Sequence, residues 1–179
     1  MKTIAPSLLA SGRRSFLSQV LDFIAGNLMS QPDLRWKQRF KNFEKAVLLL
    51  DSALENDFNQ LNQLEQEGVI QRFEYTFELA WKVLKDKMEY EGLLLDRISP
   101  KVVIKQAYTS KYIDNIETWI EMINDRNLMS HTYDSLKFQD ILKTIASLYL
   151  PLLRNWYLCL RTEIENEDKS DTWNDRTTG

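Results

Sequence analysis

Between Trp36 and Leu160, apolar residues return every three or four positions, and no stretch alternates with the period of two that a half-buried strand needs. Trp36, Phe40, Phe43, Val47, Leu50 and Leu54 form the first stripe. Phe73, Phe77, Trp81, Leu84 and Met88 form a second within about 60–90, with Gly68 as a point of interruption and Gly92 as the stop. Ser99-Pro100 opens a short third helix, Ser as cap and Pro in the first turn. Asp114 opens a fourth, with Ile116, Trp119, Ile120 and Ile123 facing inward. Asp134 or Ser135 caps the last, which carries Ile141, Ile145, Leu148, Leu152, Trp156 and Leu160, and Pro151 is expected to kink it. Five Gly and four Pro in 179 residues leave too few turns for a sandwich. The fold expected is all-α, an up-and-down four-helix bundle with an extra short helix.

Three segments follow from this reading. Residues 1–33 form an N-terminal appendage in which Phe16, Val20, Ile24 and Leu28 suit a short amphipathic helix. Residues 34–162 are the bundle, and 163–179 an acidic tail expected to be disordered. That tail holds six acids against Lys169 and Arg176, a charge of −4, so 1–162 carries +1 of the net −3. Nucleic-acid binding must then rest on a local cluster rather than on bulk attraction.

The single cysteine, Cys159, excludes an intramolecular disulfide, and its Leu158-Cys159-Leu160 setting suits a small apolar residue against the core. A single histidine cannot build a multi-histidine metal site, so neither metal nor cofactor is expected. The apolar stretch 144–153 is about half a bilayer span and contains Pro151, so no membrane helix is expected. A cytoplasmic protein fits these features. The last helix is apolar on almost every side from Ile145 to Leu160. Some of Leu150, Leu153, Tyr157 and Leu158 should therefore need a partner surface, which points to a homodimer, unless the helix is central within one chain.

Arg126-Asn127-Leu128-Met129-Ser130-His131-Thr132-Tyr133 is where the sequence becomes chemically specific. Asn127 and His131 lie four apart on one helical face and continue the line of Ile116, Ile120 and Ile123. They could be a buried hydrogen-bonded pair, with Arg126 a surface partner of Glu121 or Asp125. As a site, the imidazole of His131 exchanges protons near neutrality, and the Arg126 guanidinium holds a phosphate through parallel hydrogen bonds. Asn127 would fix the imidazole or bind a phosphate oxygen. One imidazole is thin for separate acid and base roles, and a second copy across a dimer axis would supply the other. In the second helix, Glu74, Glu78, Lys82 and Asp86 recur every four residues. This line is either a solvated face with a Glu78–Lys82 pair, or Arg72 or Lys82 lends charge to a phosphate cleft.

Arg126, four residues, His131 and then Tyr133 resembles the Arg-x4-His-x-Tyr motif of HEPN toxins. Over about 36–160 the chain also resembles the nucleotidyltransferase substrate-binding subunits of that superfamily, through Gln71-Arg72-Phe73-Glu74-Tyr75-Thr76-Phe77-Glu78-Leu79-Ala80-Trp81-Lys82, Ser99-Pro100 and Asp125-Arg126-Asn127. The resemblance implies a helical dimer encoded beside a minimal nucleotidyltransferase. It implies a metal-independent ribonuclease acting on RNA through Arg126, Asn127 and His131, silenced when the partner transfers AMP to Tyr133. The alternative within the same resemblance is a non-catalytic subunit that presents substrate to the nucleotidyltransferase.

Overall fold

The computed structural model describes residues 32–55, 60–129 and 135–177. The expected appendage before Pro32 lies outside them, as do Ser130 to Asp134. Residues 33–179 make one compact unit, all-α and without a strand among the described residues. Its helices are α1 (Pro32–Ala53), α2 (Gln63–Tyr90), α3 (Pro100–Thr109), α4 (Ile116–Met129) and α5 (Ser135–Thr144), then a π turn (Ile145–Tyr149) leading into α6 (Leu150–Thr177).

The helix ends are written in the local chemistry. Asn62 accepts from the Glu65 backbone N–H at 3.1 Å while the Glu65 carboxylate accepts from the Asn62 N–H at 2.8 Å, a reciprocal box that starts α2. With that start, and with Val69, Ile70 and Phe73 buried just beyond, α2 runs unbroken through Gly68, where an interruption was expected. Ser99 caps α3 through the Val102 N–H, with Pro100 in the first turn as anticipated. α2 and α3 end in the same motif. Leu93 N–H reaches Met88 O and Gly92 N–H reaches Glu89 O, and likewise Tyr112 reaches Ala107 and Lys111 reaches Tyr108. Gly92 sits at φ 86° in the first case; Lys111 takes φ 61° in the second, where a side chain costs about 1–2 kcal/mol.

Cross-helix pairs set the directions. Arg154–Asp51, Tyr157–Glu44 and Lys37–Glu167 step oppositely along α1 and α6, so these helices are antiparallel. Arg72–Leu49, Arg39–Asp86 and Arg35–Glu89 show the same for α1 and α2. Gln66–Gln139 and Lys87–Glu163 advance together, so α2 runs parallel to the α5–α6 column. Tyr149–Asp125 and Trp119–Trp156 set α4 against it. The order is up, down, up, down, with α3 as the short extra helix.

A chain of aromatic rings joins these helices. Phe43 packs on Trp156 (5.2 Å between centroids), Trp156 on Trp119 (5.5 Å, edge to face), Trp119 on Phe77 (6.4 Å), Phe77 on Phe73 (6.3 Å) and Phe73 on Tyr149 (5.3 Å). Edge-to-face and offset pairs add roughly 0.5–1.5 kcal/mol each beyond burial.

Pro151 produces a π turn. Leu150 N–H bonds Ile145 O, five residues back, and this wider turn removes the crowding that the proline ring meets in an α-helix. The extra residue shifts the buried face, so that Tyr149 is buried while Leu148 is exposed, against the expected inward Leu148. Leu150, Leu153 and Tyr157 are buried inside this one chain and only Leu158 of the four stays exposed, so the breadth of that helix does not by itself demand a partner. Cys159 is exposed rather than set against the core.

α6 continues through the acidic segment to Thr177. Glu163 accepts from Lys87 at 2.6 Å and Glu167 lies 3.4 Å from Lys37, so cations on α2 and α1 hold its inner side. Lys87 is buried, also donates to Glu91 at 2.6 Å, and lies 5.0 Å from the centre of the Trp36 ring. No described helix is long and apolar enough to cross a membrane.

Candidate active site

α4 is held by its inner face. Trp119 and Met122 are fully buried, Thr118 nearly so, and Ile116, Ile120 and Ile123 are only partly buried at the edge of the core. Asn127, which continues that partly buried line, is exposed rather than enclosed. At the far end, the buried Tyr149 hydroxyl of the π turn donates to Asp125 Oδ2 at 2.6 Å. Burial, and then this bond, hold the Tyr149 hydroxyl pKa far above the ordinary tyrosine value. The π turn thus fixes the residue next to Arg126.

Arg126 reaches towards α2. Its Nη2 lies 3.8 Å from Glu78 Oε2, a distance of charge attraction rather than of a hydrogen bond. Glu78 also accepts from Lys82 Nζ at 2.7 Å and from the Trp81 indole N–H at 2.9 Å. Burial alone would raise the Glu78 carboxyl, but the bonds from Lys82 and Trp81 and the charges of Lys82 and Arg126 outweigh it and hold its pKa below the ordinary value. One turn earlier, burial pushes the Glu74 carboxyl up, with the Arg126 charge opposing. Arg126 therefore stands before two carboxylates of α2, and Lys82 shares one of them.

Of the residues expected here, the structure brings Arg126 and Lys82 together through Glu78 and leaves Asn127 at the surface beside them in sequence. Arg72 Nη1 donates to the Leu49 backbone carbonyl of α1 at 2.8 Å. His131 and Tyr133 lie outside the described residues, just beyond the end of α4 at Met129. Glu78 as the shared anchor, and Tyr149 as the support of Asp125, were not singled out from sequence. The four-residue spacing of Glu74, Glu78 and Lys82 was the available signal for the first. A groove of about 420 Å³ between the start of α4 and α6 is lined by Trp119, Leu148, Pro151 and Trp156, and not by Arg126.

Residues 38–162 match the family described as nucleotidyltransferase substrate binding protein like. The chain belongs to this HEPN-type family. It is also similar to a probable ribonuclease HepT of Haemophilus influenzae, 32% identical over an alignment of 105 residues, with 55% of this chain and 70% of that one covered. A crystal structure of a Thermus thermophilus protein aligns with a TM-score of 0.59 and 32% identity, over 66% of this chain and 98% of that one. The family match reaches into every described helix from α1 to α6, including the α2 and α4 segments that carry Glu78, Lys82 and Arg126.

Proposed function

We propose that this family member is a metal-independent endoribonuclease acting at the end of α4, working as a homodimer and silenced by a separately encoded minimal nucleotidyltransferase. The observation that carries this reading is the similarity to a probable ribonuclease over 70% of that protein's length. The pairing of Arg126 with the Glu78–Lys82 cluster supports it, because a phosphate can take the place of a carboxylate on a guanidinium.

In this reading, His131 removes the proton of a ribose 2′-hydroxyl. The 2′-oxygen then bonds to the adjacent phosphorus as the bond to the 5′-oxygen breaks, giving a 2′,3′-cyclic phosphate and a 5′-hydroxyl. The leaving oxygen takes its proton from a second imidazole, that of the other copy. Arg126 and Asn127 stabilise the charge on the phosphoryl oxygens, with Lys82 adding field. The exposed Leu148 and Leu158 offer apolar surface for the second copy. Silencing consists of AMP transfer from ATP to the Tyr133 phenol oxygen, with loss of pyrophosphate, which places negative charge two residues from His131. A second reading, a non-catalytic subunit presenting substrate to the nucleotidyltransferase, is favoured by the description of the family itself.

Expression of wild type and His131→Ala without the partner separates the two. The ribonuclease reading expects slow growth and cut RNA for wild type alone; equal growth with intact RNA in both leaves the binding subunit. With the partner present, the mass of the intact chain should rise by one or more AMP units. A rise that persists in Tyr133→Phe removes Tyr133 as the acceptor.

A further inference from the structure

α3 carries a charge distribution that the site does not use. From Arg97 to Ile113 the chain has four cations, Arg97, Lys101, Lys105 and Lys111, and no acid, within a protein of net charge −3. All four are exposed, and none pairs with a carboxylate among the described residues. Lys101, Lys105 and Tyr108 fall within an arc of about 60° at 100° per residue, so two cations and a half-exposed ring form one line along the helix. Val103, Ile104 and Ala107 on the opposite side are fully buried, which fixes the orientation of that line. The helix packs on both α2 and α4, the two helices that carry Lys82, Glu78 and Arg126.

Lys111 adds an independent observation. α2 closes its C-terminal motif with Gly92, the residue without a steric penalty at positive φ, whereas α3 closes the same motif with a lysine at φ 61°. A strained position that carries a long cation, where glycine would relieve the strain, is the pattern of a side chain retained for what it binds.

We propose that the α3 line is a binding surface for single-stranded RNA, with Lys101, Lys105 and Lys111 on neighbouring phosphates and Tyr108 stacked on an unpaired base. The inference rests on the RNA-directed reading of the α4 site and gives that site its substrate class. Regular negative charge interspersed with flat rings matches a line of cations and an exposed phenol ring better than an acidic protein surface does.

The test measures binding of a fluorescently labelled single-stranded RNA to the full chain from 50 to 200 mM salt, in a His131→Ala background that keeps the probe intact. Lys101→Ala/Lys105→Ala, which retains good helix formers, should flatten the slope of log affinity against log salt by about 1.4, two single-strand phosphate contacts. Tyr108→Ala should weaken binding at every salt concentration. Lys111→Gly should weaken RNA binding while raising the melting temperature, two changes that damage to the fold cannot produce together. An unchanged slope in the double variant overturns the proposal, as does a double variant that binds RNA normally but loses a co-expressed acidic partner protein. If wild type fails to cut RNA while the slope still flattens, the surface stands and the ribonuclease reading falls. If wild type cuts RNA and the slope is unchanged, the reverse holds.

Discussion

Removing one oxygen from the π turn tests how the core supports the end of α4. Tyr149→Phe keeps the ring stacked on Phe73 and leaves little cavity, since the residue is only 1% exposed and loses only its hydroxyl. What is lost is a 2.6 Å bond to the Asp125 carboxylate. A hydrogen bond to a charged acceptor contributes about 1.5–3 kcal/mol, and because Asp125 is partly exposed, water replaces part of it, placing the loss at the lower end. About 1.5 kcal/mol lowers the melting temperature of a domain this size by roughly 3–6 °C. Urea unfolding of wild type, Tyr149→Phe, Asp125→Ala and the double variant should give a coupling energy of about the same size. Additivity within about 0.5 kcal/mol would show that the bond does not hold α4 and would refute the reasoning. The sign with pH follows from the raised hydroxyl pKa. The contribution is full below the ordinary tyrosine value of 10.0 and is lost as pH rises through the folded one, so wild type should lose its advantage over Tyr149→Phe in alkali.

Further perturbations probe the rest of the fold. Trp119→Ala breaks the ring chain at a residue 1% exposed and should cost about 3–5 kcal/mol in chemical denaturation, often enough to prevent folding. Gly92→Ala meets no atom within 4 Å, so its cost, about 1–2 kcal/mol in thermal melts, should come from the φ of 86° alone. Lys87→Ala removes the cation shared by Glu91 and Glu163 and should cost about 1–2 kcal/mol at neutral pH. Burial opposes the Lys87 charge, but its two carboxylate bonds raise its pKa, so this stability fades only above the ordinary 10.5. The Glu91 pKa, which burial would raise, is held low by Lys87 and Tyr112, so the acid-side loss comes as pH falls through that lowered value; melts across pH check both limbs.

The bundle is legible in the sequence because its stripes obey one period: Trp36 to Leu50 and Phe73 to Met88 are buried almost as the spacing predicts. The last helix departs from that reading where the period changes. Pro151 signals a disturbance, but whether it produces a kink or a π turn depends on packing around Tyr149, and that choice moves Leu148 outward. Leu153 and Tyr157 suggest a second chain because sequence cannot show that both are buried within one chain, Tyr157 by α1 through the Phe40–Tyr157 stack. At the site, Arg126 and Lys82 are visible as residue types. The Glu78–Lys82 pair follows from their four-residue spacing, but that Arg126 of α4 reaches the same Glu78, and that Arg72 donates to the Leu49 carbonyl, are tertiary facts with no local pattern.

The central claim is tested most directly by incubating purified chain with single-stranded RNA in excess chelator, and resolving the products beside those of His131→Ala and Arg126→Ala. Wild type should cut, leaving 2′,3′-cyclic phosphate ends, and both variants should fall by at least a hundredfold, roughly the scale of a lost acid–base or charge-stabilising group. Intact RNA with wild type, or equal cutting by all three, would contradict an active site at the end of α4.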